Sequence, residues 1–146
     1  MNNSILLVLK DSVSSRAAVD YLALLPFCKD DMFITLLNVF RKPSVSEELM
    51  GANFAEEESA RCMAILENAK DKLAKHGFNP ENIELILAKE PYPTVAEGII
   101  DQFKKGNFST LVLGHKKKSK AEEFVKGDVS MKLLRALEGV AILSVT

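Results

Sequence analysis

Residues 5–12 read Ile-Leu-Leu-Val-Leu-Lys-Asp-Ser, an unbroken apolar run that turns abruptly to charge and hydroxyl. A strand with one wet face alternates apolar and polar side chains. A continuous run is expected of a strand buried on both faces, as in a parallel sheet covered by helices on each side. Immediately after it, Ser12 is placed to cap a helix. Ala18, Tyr21, Leu22 and Leu25 then recur at three- and four-residue spacing until Pro26, so the first unit reads strand, tight turn, amphipathic helix.

The same alternation continues along the chain. Phe33 to Phe40 is rich in β-branched and aromatic residues and reads as the second strand; Arg41 to about Asn53 has no period and reads as a surface loop. From about Phe54 to His76, Ala60, Met63, Ala64, Leu66, Ala69, Leu73 and Ala74 give a long helical period that Gly77 is placed to stop. Ile83 to Ala88 is a third strand, ended by Pro91 and Pro93, whose missing N–H groups oppose a continuing ladder. Thr94 caps a helix through Phe103 that ends near Gly106. Thr110 to Leu113 is a fourth strand, His115 to Lys120 a basic segment, Asp128 to Leu137 a last helix capped by Asp128, and Val140 to Val145 a fifth strand. The order β-α-β-α-β-α-β-α-β predicts one open five-stranded parallel sheet with helices on both faces. Right-handed crossovers return each strand parallel to the one before. No repeat or linker divides the chain, so residues 1–146 read as a single domain.

Composition narrows the function classes. A chain of 146 residues buries roughly two thirds of its unfolded surface and needs no metal or disulfide to fold. A formal net charge of −1 supplies no global field for nucleic acid. Cys28 and Cys62 stand 34 residues apart without a C-x-x-C pairing, which fits two buried reduced thiols better than zinc or redox chemistry. The start of the chain has no signal-peptide pattern, and no apolar run approaches the roughly 18 to 20 residues that span a bilayer. The expectation is a cytoplasmic protein that makes no use of a membrane. His76, at a helix end, reads as a dipole partner; Glu56 to Glu58 read as a solvent face. Neither a catalytic triad order nor a paired-carboxylate or His-Glu-x-x-His signature is present, so no enzyme activity is expected.

Ligands of open α/β sheets lie beyond the carboxyl ends of the strands, where the strand order reverses, which points to Lys10, Asp11, Ser12, Val39 and the loop after Leu113. At these positions the sequence resembles the universal stress protein family over its whole length. Ser12 and Ser15 match the two serines of the family's Asp-Gly-Ser-x-x-Ser after the first strand, with Lys10 and Asp11 standing where Asp and Gly are usual. The nucleotide-binding branch carries Gly-x2-Gly-x9-Gly-[Ser/Thr] after the fourth strand. Here Gly114 and Gly127 keep the first and third glycines at the right distance, whereas Lys117 replaces the second and Asp128 replaces the Ser/Thr, followed by Val129 and Ser130. The first loop lacks the Ser-Gly-Gly-x-Asp-Ser of the related pyrophosphatases. The resemblance implies an adenine nucleotide alpha hydrolase-like fold, for which we expect the strand order 3-2-1-4-5 with two helices on each face. It also implies a homodimer through the fifth strand, whose edge is otherwise unpaired.

A phosphate loop closes backbone N–H groups around oxygen atoms, with glycine permitting close approach and a helix N-terminus aimed at the anion. Lys117 adds bulk to such a loop, Asp128 competes for its donors, and a protonated Lys10 cannot accept the hydrogen bonds that the family's Asp accepts. Lys116, Lys117, Lys118, Lys120 and Lys126 read as a solvated basic loop beside His115. The expected function is therefore a stress-response or regulatory module acting through dimerisation and an unidentified protein partner. No cofactor is expected, and ATP binding should be weak or absent. The alternative is an ATP-binding and slowly ATP-hydrolysing protein whose lysine loop replaces the lost contacts, with Gly114, His115, Gly127, Val129 and Ser130 lining the site.

Overall fold

The structure, a computed structural model, describes residues 3–26, 29–41, 49, 51–116, 119–121 and 128–146. Five strands, β1 (Ser4–Val8), β2 (Phe33–Arg41), β3 (Ile83–Tyr92), β4 (Thr110–Gly114) and β5 (Ala141–Val145), form one sheet in the order β3-β2-β1-β4-β5. Every pairing is parallel, with Leu6 of β1 opposite Thr35 on one side and Leu111 on the other. The expected topology is therefore the observed one. The unbroken apolar run is explained by this central position. Ile5, Leu7 and Leu9 enter one core with α1 (Val13–Leu24) and α2 (Ala52–Lys75), while Leu6 and Val8 enter the other with α3 (Val95–Lys105) and α4 (Val129–Ala136). Leu6 and Leu7 have no exposed surface, and burial of each contributes about 1.5–3 kcal/mol.

Local chemistry starts and stops the helices as their sequences require. Ser12 Oγ accepts the Ser15 N–H at 3.1 Å, and Thr94 Oγ1 accepts the Glu97 N–H at 3.2 Å. After α2, Gly77 takes φ 102°, which lets the chain reverse and places Phe78 in the core at 2% exposure. Lys29 ties two helix ends together. Its Nζ donates to the Ala23 carbonyl at 2.8 Å and the His76 carbonyl at 2.7 Å and lies 5.4 Å from the Phe78 ring centroid. A cation there meets the negative ends of two helix dipoles at once.

Several sequence expectations need correction. β3 does not stop at Ala88: it runs through Pro91 to Tyr92, with a register shift between Val39 and Arg41. Proline is tolerated because β3 is an edge strand, needing ladder bonds on one side only. Tyr21 is exposed at 43%, and Ala60 and Ala64 are also exposed; Cys62, in their place, is buried and free. The helix expected from about Phe54 to His76 runs from Ala52 to Lys75, as expected to within two residues. Cys28 and most of the loop after Arg41 lie outside the described residues. Among the described residues, no helix is long and apolar enough to cross a membrane.

Candidate functional site

Strand order reverses between β1 and β4, whose carboxyl ends lie side by side at Val8 and Leu113. The loop leaving β1 is held from several directions. The buried Asn38 side chain donates to the Leu9 carbonyl at 2.9 Å, the Ser12 N–H bonds to the Lys10 carbonyl at 3.0 Å, and Ser15 Oγ accepts the Lys10 N–H at 2.9 Å. The two serines that match the family's pattern thus fix the turn and cap α1. At the end of β4, Gly114 lies against the first turn of α1; a Cβ there would sit 2.5 Å from the Ser14 carbonyl oxygen and closer still to Ser14 C and Ser15 N.

These contacts frame a cleft of about 180 Å³. Lys10, Ser12, Gly114, His115, Asp128, Val129 and Ser130 line it, so the structure brings most of the sequence-derived candidates together. Val8, Ser14, Leu113 and Lys116 also contribute, as do Val95 and Ile99, which the sequence reading missed. The four-residue spacing of Val95 and Ile99 behind the Thr94 cap was the available signal. Two candidates lie elsewhere. Asp11 faces arginines, 3.4 Å from Arg16 Nη1 and 3.8 Å from Arg61 Nη1, and Val39 packs against α3, where the missing side chain of Gly98 gives it room. Lys117, Lys118, Lys126 and Gly127 lie outside the described residues.

Asp128 occupies the anion-binding end of α4. Its Oδ1 accepts the Ser130 N–H at 2.9 Å and the Met131 N–H at 3.4 Å, consuming donors that a phosphate would need. As an N-cap it contributes about 0.5–2 kcal/mol to the fold. The same Oδ1 lies 3.9 Å from His115 Nδ1, and Ser130 Oγ is 3.0 Å from that nitrogen. A serine nucleophile needs one ring nitrogen as its base and the other held by a carboxylate. Here hydroxyl and carboxylate face the same nitrogen, so the three side chains do not form a relay.

Beside the cleft, β3 is clasped to α3. Tyr92 Oη lies 2.6 Å from Asp101 Oδ2, bonds Glu90, and accepts from Gln102 Nε2 at 3.1 Å, while Lys105 Nζ reaches Asp101 at 2.9 Å and Glu90 at 3.4 Å. Burial, then the two carboxylate acceptors, push the Tyr92 phenol up to about 12. The bond from Tyr92 is in turn the main cause holding the Glu90 and Asp101 carboxyls below their usual range.

A family model described as the universal stress protein family matches residues 1–138. Among solved structures, a universal stress protein from Lactobacillus plantarum aligns with a TM-score of 0.74 at 13% identity, covering 100% of this chain and 99% of that one. A universal stress protein in complex with cAMP aligns at 0.70 and 17% identity, covering 99% and 96%. A universal stress protein family protein from Arabidopsis thaliana with AMP bound aligns at 0.65 and 17%, covering 99% and 92%. At such identities the structural likeness speaks for the fold. No curated protein sequence matches the chain.

Proposed function

The chain belongs to the universal stress protein family, and from that premise we propose that it is a cytoplasmic stress-response or regulatory module, acting through dimerisation and partner binding, with weak or no affinity for ATP. The observation that carries this reading is the Asp128 cap. It places a carboxylate where a triphosphate would lie and occupies the α4 donors. At an effective dielectric of 20, two like charges about 4 Å apart repel by roughly 4 kcal/mol. No enzyme activity is proposed, since Ser130, His115 and Asp128 share one ring nitrogen.

Dimerisation through β5 is supported by its edge position and by apolar surface nearby, with Met131 and Leu134 of α4 exposed at 44% and 55%. One observation favours the alternative, an adenine-nucleotide site: Lys10 and Lys116 line the cleft, and two structural neighbours hold AMP or cAMP.

Calorimetric titration with ATP, with and without Mg²⁺, separates the two readings. The wild-type protein should show no saturable binding below the millimolar range. Asp128→Ser, which keeps a capping hydroxyl and removes the charge, should bind at least about tenfold more tightly, less than the full repulsion because Lys10 and Lys116 already offset part of it in the wild type. Low-micromolar binding to the wild type without metal would overturn the reading. Sedimentation showing only monomer at micromolar concentration would remove the dimer.

A further inference from the structure

Helices α1 and α2 pack on one face of the sheet and leave between them a groove of about 580 Å³, within the range that small-molecule sites occupy. Its walls follow from helical spacing. Val13, Arg16, Ala17 and Asp20 recur at i, i+3, i+4 and i+7 along α1; Ile65, Asn68, Ala69 and Lys72 repeat the pattern along α2. The buried Leu9 and Val19 form an apolar floor, and Ala17 and Ala69 leave the space that longer side chains would close. From Val13 to Asp20 the helix advances about 10 Å, the extended length of an alkyl chain of about eight carbons.

The two ends of this groove differ in charge. At one end Asp20 of α1 pairs with Lys72 of α2, and the signs cancel. At the other, Lys10, Arg16 and Arg61 stand against Asp11 and Glu58, so positive charge is in excess among the described residues. Arg61 is answered by Glu58 at 2.6 Å and by Asp11 at 3.8 Å. Arg16 spends only Nη1, on a 3.4 Å contact with Asp11, and its Nε–Nη2 edge has no partner among the described residues. That edge is a planar fork able to meet both oxygens of a carboxylate.

We propose that the α1–α2 groove binds a free medium-chain aliphatic carboxylate, its chain lying over Leu9, Val19, Ile65 and Ala69 and its headgroup held by Arg16. A neutral chain of the same length would leave the fork unmatched. A cationic one would add to the excess positive charge at that end.

Lys10 and Ser15 border both this groove and the cleft, so neither reports which cavity is filled. Ala17, Ile65 and Ala69 line the groove alone, whereas Ile99, Val129 and Ser130 line the cleft alone. Octanoate titrated into the isotope-labelled full chain, followed by amide resonances and with octanol as the neutral control, therefore tests the site. Octanoate should shift Ala17, Ile65 and Ala69 saturably and leave Ile99, Val129 and Ser130 in place, and octanol should bind about three- to tenfold more weakly. Added salt should weaken octanoate and leave octanol unchanged. Arg16→Gln, an exposed substitution that removes the charge, should bring octanoate down to the affinity of octanol. Ala17→Phe fills the groove and should abolish binding of both; if that variant does not fold, Arg16→Gln carries the test. Octanol binding as tight as octanoate, indifference to Arg16→Gln, or absence of saturable binding to the wild type would overturn the proposal. So would shifts centred on Ile99, Val129 and Ser130, which would place the carboxylate in the cleft. An Ala17→Phe protein that changes its sedimentation but not its octanoate binding would mark the groove as an interface between copies and refute the ligand site. Because each readout belongs to residues of one cavity only, failure here and tight ATP binding in the cleft are told apart.

Discussion

Replacing Gly114 by alanine should destabilise the protein, by an amount set by two opposing effects. Gly114 has no positive φ, so alanine fits its backbone conformation, and the loss of unfolded-state freedom favours the variant by about 0.4–1 kcal/mol. Against this, the new methyl carbon would meet Ser14 C, Ser15 N and Ser14 O, the last at 2.5 Å. These are backbone atoms in the first turn of α1, held by the Ser12 cap, and cannot rotate aside as a side chain would. Overpacking typically costs about 1–3 kcal/mol, and a clash with fixed backbone belongs at the upper end. A net loss of about 1–2 kcal/mol is therefore expected. Urea unfolding followed by circular dichroism would show it as a lower midpoint at unchanged slope. A midpoint equal to or above the wild type would refute the reasoning, because it would mean that α1 moves away from β4 at no cost. The expected result would also explain why a glycine stands at this position in a chain whose phosphate loop is otherwise altered: packing alone requires it.

Tyr92 should titrate near pH 12, and its folded value lies above the ordinary phenol value, so its contribution to stability is complete below about pH 10 and is lost between about pH 10 and 12. Absorbance titration should show a late phenolate step that Tyr92→Phe removes; a late step that survives in the variant would assign the shift to another group. Lys29→Met should lower stability by about 1–2 kcal/mol, because two helix-end carbonyls lose a charged donor but recover part of the loss from water. An unchanged urea midpoint would show that the tie contributes nothing.

The features legible in the sequence were those decided within a few residues. Ser12, Thr94 and Asp128 cap helices as read, Gly77 ends α2, and the unbroken run at Ile5 to Leu9 places β1 in the centre of the sheet. What escaped depended on neighbours distant in the chain. Pro91 breaks a ladder only where both sides are paired, and β3 has a neighbour on one side alone. Asp11 was read as part of the nucleotide loop, yet Arg61, fifty residues on in α2, helps to turn it the other way. Val39 was placed at the cleft because it lies near the end of β2; the side-chain space that it occupies is set by Gly98 on α3.

The central place of β1 also bears on how the chain can assemble. Its partners on one side begin 29 residues downstream, at Phe33, whereas on the other side Ile5 must wait for Thr110. Closing the longer loop costs only about 1 kcal/mol more than closing the shorter one, by the logarithmic dependence on loop length. The larger difference is in time. While a nascent chain is being made, β1 has β2 beside it long before β4 exists, so the most apolar strand of the molecule carries an open backbone edge through most of synthesis. Until Ser109 closes onto the Ser4 carbonyl at 2.9 Å, the run from Ile5 to Val8 remains a template to which another unfinished chain can pair.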